Sequence, residues 1–557
     1  MNGLPTFTKW GLTRRRFLGA VMGGMGLAAL FPWIRRTASE FRFPEPPGQD
    51  RSPNHRLGHL LRTGALLTRA LDRHSEIPLV IVGGGIAGLS AGWWLQKNGF
   101  DQFKIIELEN EVGGNSKSTE NSVSAHPWGA HYVPIPNPES DYVRMLFQEL
   151  GVITGQDSSG RDRFNELYLC SDPSERIYYQ GRWHEGLIPV DSLSPESRTE
   201  TRRFLDLMNR WKDQIGSDGK RAFAIPMEQS SQDLVFRKLD QVSFRAWLDR
   251  EGFKSSYLRW YVDYCCRDDY GRGPEHLSAW AGIHYFAGRK ASSANSDSST
   301  VLTWPSGNGW IVDRLREKLK GHLSPHQMAY RIANQNSRVE IDVYHAEPGS
   351  DPHTERISAY HSIVATPRFA ARRMIPEWPS SQPLPTYAPW LVANVTLNQM
   401  PSGKGVPLAW DNVSYYSRSL GYIVATHQNL HPFPGKTVIT YYRPLDDESP
   451  AIARQKAYET SLAEWKSLVQ SDLQKMHREI VPDILAIDIC IWGHGMVSPE
   501  PGFIWGEARK ALLKPLGNIH FAHSDMSGIS IFEEAQYRGI MAAREILKTL
   551  PASVRPT

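Results

Sequence analysis

Cysteine is scarce in this chain, and long apolar runs are absent from most of it. The 557 residues include four cysteines, Cys170, Cys265, Cys266 and Cys490. They form no C-x-x-C and no C-x-x-C-H, so neither a zinc ribbon nor c-type haem attachment is indicated. H-E-x-x-H, EF-hand and nucleophile-elbow patterns are missing too, which leaves metal and hydrolase chemistry unsupported. Apart from the first residues, no apolar run reaches membrane-spanning length. The net charge is only +4, part of it in Arg14, Arg15, Arg16, Arg35 and Arg36. No basic stripe with interleaved aromatics occurs elsewhere, so nucleic acid is not an expected partner. Tandem repeats are lacking as well. With 40% hydrophobic and 22% charged residues, the chain has the composition of a globular protein long enough for two domains with large cores.

What is present concentrates between Leu79 and Asn115. An apolar strand, Leu79-Val80-Ile81-Val82, feeds Gly83-Gly84-Gly85-Ile86-Ala87-Gly88. A helix predicted over 86–98 follows, then a second strand, Lys104-Ile105-Ile106, ending in Glu107. A G-x-G-x-x-G turn between strand and helix, with an acid closing the next strand, is the pattern of a dinucleotide site. Gly83 permits the tight turn, Gly85 lets the backbone approach a pyrophosphate, and Gly88 lets the helix lie close to the strand. The free N–H groups at Ile86 and Ala87, with the helix dipole, favour the phosphates. Glu107 can accept hydrogen bonds from the adenosine ribose, and its charge repels a 2′-phosphate. FAD or NAD is therefore the expected ligand.

Other segments choose between the two. Gly113, Gly114 and Asn115 follow Glu107 closely; 517–522 reads as a strand, Ser524-Asp525-Met526-Ser527-Gly528 as a turn, and 531–547 as an amphipathic helix. Trp304-Pro305-Ser306-Gly307-Asn308-Gly309-Trp310 precedes a helix, and His361-Ser362-Ile363-Val364-Ala365-Thr366-Pro367 reads as a strand and turn. Through these segments the chain resembles the FAD-dependent amine oxidoreductase and desaturase superfamily, which includes monoamine oxidases, phytoene desaturases and protoporphyrinogen oxidases. The resemblance implies an α/β fold: a discontinuous Rossmann-like FAD-binding domain from 77–165, 300–375 and 495–550, with an α+β substrate domain from 166–299 and 376–494. It also implies that Gly113, Gly114 and Asn115 lie beside the pyrophosphate, and that Ser524 and Asp525 contact the ribityl chain or pyrophosphate. No segment of the Ser-Gly-Gly-Cys-Tyr type occurs, so the FAD is expected to be non-covalent.

Candidate catalytic groups are fewer. Many relatives place a lysine near the flavin on a substrate-domain strand, and here Asn394 falls at that position. His131, in Trp128-Gly129-Ala130-His131-Tyr132, is either an acid–base group or part of a turn packing the flavin edge. His494, in Trp492-Gly493-His494-Gly495-Met496, either reaches the cavity or sits in a structural turn, and His523 is weighed in the same way. Cys265-Cys266-Arg267-Asp268-Asp269-Tyr270 reads as a solvated helix end, with a cavity wall as the alternative. In the substrate domain, helices are predicted over 243–250, 255–266 and 450–476, and a short one over 57–71 in the lead-in.

The amino terminus carries its own signal. Thr13-Arg14-Arg15-Arg16-Phe17-Leu18 matches a twin-arginine export motif, followed by a short Gly-rich apolar run. Residues 1–38 are the expected signal and 39–76 the lead-in. Export of a folded, FAD-loaded protein to the periplasm is expected, with the twin-arginine machinery as partner and a membrane tether if the signal stays uncleaved. The expected function is an exported FAD-dependent oxidoreductase that takes hydride from a small, amine-like substrate and passes electrons to oxygen or a periplasmic acceptor. The alternatives are a C–C desaturase or isomerase of an apolar substrate, and a non-catalytic flavin-binding partner protein.

Overall fold

Leu79–Val82 is buried along its whole length, as a strand must be when both faces of its sheet are covered. In the computed structural model, which describes residues 45–429 and 435–554, it is the central strand of a five-stranded parallel sheet. The order is Leu323–Ser324, Phe103–Ile106, Leu79–Val82, His361–Val364, Ile519–Phe521. Alternation along the central strand assigns its two faces. Leu79 and Ile81 pack with residues of the helices Ile86–Lys97, Gly309–Lys318 and Phe532–Thr549. Val80 and Val82 pack against Ile332, Ile341 and Ile357 of a second sheet, built from Arg73–Glu76, His353–Ala359, Arg338–His345 and Gln327–Gln335. The chain leaves the central strand first to one side and later to the other. Its strand ends therefore open a crevice at the reversal point, which is where ligands bind in such sheets. The expected α/β class, with a Rossmann-like unit and a second substrate-type unit, is borne out.

Two helices approach the crevice unusually closely. A Cβ at Gly88 would lie 2.0 Å from the Gly83 carbonyl oxygen, and one at Gly539 would lie 2.1 Å from that of Ala87. Gly539 thus brings Phe532–Thr549 against Ile86–Lys97. Replacing Gly539 with valine should separate the two helices and lower stability by about 1–3 kcal/mol or more, read as a lower midpoint in denaturant.

The remaining architecture is a seven-stranded, mainly antiparallel sheet with a helical layer. The order is Arg182–Glu185, Glu175–Tyr179, Asp411–Ser414, Gly421–Val424, Thr437–Pro444, Thr386–Leu397, Ile484–Ser498. The helices Pro195–Lys212, Phe244–Arg250, Ser256–Tyr270 and Ala279–Ala287 share one core.

Several local expectations need correction. The helix predicted over 450–476 is two helices, Pro450–Glu459 and Leu462–Leu473, because Ser461 and Glu464 form a capping box that starts a new one. The lead-in helix stops at Thr63, where Gly64 takes a left-handed conformation (φ 66°). Trp492 to Met496 is not a turn but part of the strand Ile484–Ser498. Its glycines admit neighbours: a Cβ at Gly493 would fall 2.2 Å from the Tyr458 hydroxyl, and one at Gly495 would fall 2.9 Å from the Trp390 ring. All four cysteines are free. Among the described residues no helix is long and apolar enough to cross a membrane, and no cluster suited to a metal ion occurs. The twin-arginine segment lies outside the described residues.

Candidate dinucleotide groove and adjoining interior cavity

The strand ends and the glycine turn frame a cavity of about 690 Å³. Its floor comes from Gly83, Gly85, Ile86 and Ala87, and its walls from Glu107, Gly113, Gly114, Thr366, Ser524 and Phe532. The turn is held from within. Gly83 (φ 107°) donates its N–H to the Ile106 carbonyl at 2.9 Å, and Gly113 (φ 130°) donates to that of Gly84 at 2.8 Å. The Glu107 carboxylate accepts from Gly84 N at 2.7 Å and from Glu109 N at 2.9 Å. Burial pushes this carboxyl above its usual range, while the backbone donors of Glu109 and Gly84 pull the other way. Each of its oxygens keeps a lone pair that a ribose hydroxyl can use.

These residues fit a dinucleotide. A Cβ at Gly85 would meet nothing nearer than the Gly114 Cα at 4.0 Å, so the protein leaves the space above Gly85 open toward the groove. Asn308 Oδ1, Gln327 Oε1 and Thr366 Oγ1 belong to groove-lining residues and are buried with no hydrogen-bond partner, an arrangement that calls for a polar ligand. Arg62, Arg372 and Arg373 also line the groove and have no ion-pair partner among the described residues, so their charge is available to phosphates.

The three arginines were not singled out in the sequence, nor was the helix His55–Thr63 as a groove wall. That helix was legible in part. Asn54 caps it by accepting from Leu57 N, and His55, His59 and Arg62 recur at helical spacing on one face. Asn54 N also donates to the Glu109 carboxylate at 2.7 Å, which fastens the helix to the loop beyond Glu107.

The predicted cofactor residues separate into wall and support. Gly83, Gly85, Ile86, Ala87, Glu107, Gly113, Gly114, Asn115 and Ser524 line the groove. Asn115 also donates from Nδ2 to the Gly495 carbonyl at 2.7 Å. Gly88 stands behind the wall, against Gly83. Asp525 requires a correction: it is fully buried and is not among the groove-lining residues. Its Oδ2 accepts from Arg368 N at 2.8 Å and from the Tyr387 hydroxyl at 2.6 Å. Burial acts to raise this carboxyl, but His523, Arg368 and Tyr387 outweigh it and hold it well below the usual carboxylate range. Asp525 therefore braces the loop after His361–Val364, and its neighbours Ser524 and His523 are the ones that face the groove.

Among the catalytic candidates, Asn394 is also corrected. It is buried, with Nδ2 donating to the Pro127 carbonyl at 2.9 Å and Oδ1 accepting from Thr440 Oγ1 at 2.7 Å. It ties two segments together and does not line the groove. Asn394→Ala should cost about 1–3 kcal/mol through the groups left unpaired and leave flavin reduction by substrate unchanged, as stopped-flow absorbance would show. His494 lines the groove, with its ring stacked on Phe369 at 3.7 Å. Burial, then the charges of Arg454 and Arg62, push it down to about 3, so it is neutral at ordinary pH. His131 lies where Ala130 and Trp492 end the groove wall. Its Nδ1 donates to the Gly129 carbonyl at 3.1 Å, its ring stacks on Tyr442 at 4.6 Å, and burial pushes it down to about 4. With Nδ1 protonated, Nε2 is left as an acceptor.

Beside His131 stand the rings of Tyr132, Trp410 and Tyr442. Tyr132, Asp268, Asp269, Tyr285 and Asp411 lie deep in the fold yet keep part of their surface uncovered. Tyr264, Trp410 and Tyr442 belong to one buried aromatic cluster. The segment from Cys265 to Tyr270 is packed into the fold and is not a solvated helix end. Cys265, Cys266 and Arg267 are buried in the core, while burial raises the carboxyls of Asp268 and Asp269.

Comparison with known proteins agrees with this geometry. Residues 81–150 match the model of an NAD(P)-binding Rossmann-like domain. The chain is 22% identical over 497 residues to an L-amino acid dehydrogenase of Synechocystis sp., covering 86% of this chain and 96% of that protein. Among solved structures, a double mutant of putrescine oxidase superposes with a TM-score of 0.62 at 17% identity, over 85% of this chain and 100% of the other. A fatty acid isomerase from P. acnes superposes with a TM-score of 0.57 at 14% identity, over 85% and 99%. In fold the chain is similar to flavoproteins of the amine-oxidase-like kind. Within that class, the similarities support an FAD-dependent oxidoreductase with FAD as its cofactor.

Proposed function

We propose that this protein oxidises an amine, using non-covalently bound FAD as the hydride acceptor. The observation that carries the reading is the dinucleotide groove, whose wall runs to Ala130, next to His131 and its stack on Tyr442. Gly83 to Ala87, Glu107 and Arg372 would hold FAD, with the phosphates over the N-terminus of Ile86–Lys97. The chemistry FAD supplies when bound is acceptance of hydride from the carbon bearing the amine nitrogen, which leaves an imine that water converts to a carbonyl compound and ammonia. Within the site, the stacked rings of His131 and Tyr442 confine the substrate and exclude water. His131 Nε2 accepts an N–H hydrogen bond and so fixes the orientation of the neutral amine. The absence of cysteine among the groove-lining residues supports the non-covalent reading.

Export belongs to the same proposal and rests on Arg14, Arg15, Arg16 and Phe17: the protein would cross by the twin-arginine route with FAD aboard and work in the periplasm with oxygen or a periplasmic electron acceptor. Anaerobic addition of an amine should bleach the flavin and yield a carbonyl compound with ammonia in equal amount. Bleaching by apolar substrates alone would contradict amine oxidation, and recovery of the protein only from the cytoplasm would contradict export.

A further inference from the structure

Residues 46–52 cover an edge of the seven-stranded sheet. Ile484–Ser498 is the last strand in its order, and an open edge leaves backbone groups unpaired. Here the lead-in pairs with that strand in parallel, at Asp50 and Ile489. Ile487 N donates to the Pro47 carbonyl at 2.9 Å, Ile489 N to that of Gln49 at 2.9 Å, and Arg51 N to that of Ile489 at 2.7 Å. Side chains reinforce the seam. The Asp488 carboxylate accepts from Gln49 N at 2.6 Å, and the buried Lys466 ammonium donates to the Pro46 and Gly48 carbonyls at 2.9 and 3.3 Å. Gly48 has φ 142°, and a Cβ there would fall 1.9 Å from the Ile487 carbonyl oxygen, so this approach requires glycine.

The next residues cross to the dinucleotide groove. The helix His55–Thr63 supplies His55, Gly58, His59, Leu61 and Arg62 to its wall. Asn54 N bonds the Glu109 carboxylate at 2.7 Å, and the His55 ring packs on Tyr458 at 4.5 Å. Glu109 and Tyr458 are themselves groove residues. Otherwise the helix is weakly supported. It has nine residues, one of them an interior glycine, and none is buried. Helices of that length are marginal in water on their own, and the glycine weakens this one further. Its groove-lining residues are half-buried or, at Arg62, exposed. An occupant of the groove would complete their burial, and the Arg62 charge suits a phosphate.

We propose that residues 46–63 are a strap over the cofactor: the sheet-edge segment anchors it, and docking of His55–Thr63 and binding of FAD stabilise each other. Resting on the reading of the groove as an FAD site, this role goes beyond it by making retention of the cofactor depend on a segment that precedes the glycine turn. The coupling is reciprocal. Whatever factor the docked helix contributes to FAD affinity, FAD contributes to docking of the helix.

Two variants of the full chain loosen the anchor without touching the groove, since neither Gly48 nor Lys466 lines it. Gly48→Val introduces the clash with Ile487, and Lys466→Met removes both bonds to the strap while keeping a similar volume. Each should raise the Kd for FAD by about 5- to 150-fold, read from flavin fluorescence, with a far-ultraviolet circular dichroism spectrum like the parent's. In the parent, amide exchange at 55–63 should slow by a similar factor when FAD is added to cofactor-stripped protein. That measurement needs no variant, so the test stands even if Gly48→Val does not fold. Parent-like FAD affinity in the folded variants, or exchange at 55–63 that is the same with and without FAD, would overturn the strap while leaving the FAD site intact. No FAD binding by the parent would instead remove the underlying reading.

Discussion

Replacing Gly85 with valine should give a folded protein that carries no FAD. The backbone at Gly85 is extended (φ −72°, ψ −179°), a conformation valine adopts without strain. The new side chain would clear the protein, since the nearest atom to a Cβ there is the Gly114 Cα at 4.0 Å. Its methyl groups would stand in the groove where the pyrophosphate approaches the turn. The expected result is a far-ultraviolet circular dichroism spectrum like that of the cofactor-free parent, with no flavin absorbance. The stability that FAD confers would vanish with it, about 4 kcal/mol when FAD is present at a thousand times its Kd. Gly88→Val provides the contrast. Its Cβ would lie 2.0 Å from the Gly83 carbonyl oxygen, so that variant should lose the fold itself. A Gly85→Val protein that purified with full flavin would place the phosphate site elsewhere.

The second large effect should come from His131→Phe. Phenylalanine can keep the stack on Tyr442 but cannot offer an acceptor at Nε2. FAD content should stay at the parent level while the rate of flavin reduction by substrate falls about 10²-fold, the scale of a lost orienting contact. The pH dependence follows from the direction of the shift. Burial lowers His131 from the ordinary 6.5 to about 4, so the imidazole stays neutral and able to accept down to about pH 4. Its contribution to the rate should fade as pH drops through about 4, with no inflection from this residue near 6.5. Rapid-mixing measurements of flavin reduction across that range would check it. An inflection near 6.5 that disappears in His131→Phe would show instead that the ring is solvated.

The legible parts of this protein were those written in local sequence. From Leu79 to Glu107, a strand, a glycine turn, a helix and an acid follow one another without interruption, and each is specified by its neighbours. The groove residues along that stretch could be named for this reason. Asn394 could not be placed in the same way. Nearly every residue of Thr386–Leu397 is buried, so no alternation of polar and apolar residues marked which face looks toward the cavity, and a register shift of one residue exchanges the faces. Ser524 and Asp525 are adjacent, and only the bonds from Arg368 and Tyr387 decide that the aspartate turns inward. Glu175 and Asp411 lie far apart in sequence, and only the pairing of their strands brings them opposite each other. The wall formed by His55–Thr63 was hidden in a lead-in whose arginines and histidines looked like ordinary surface.

The most direct test of the whole account is a visible absorption spectrum of the natively purified protein, repeated after anaerobic addition of a panel of amines. The account predicts the bands of oxidised flavin in the first spectrum and their bleaching in the second. A colourless protein that stays colourless when supplied with FAD would contradict it.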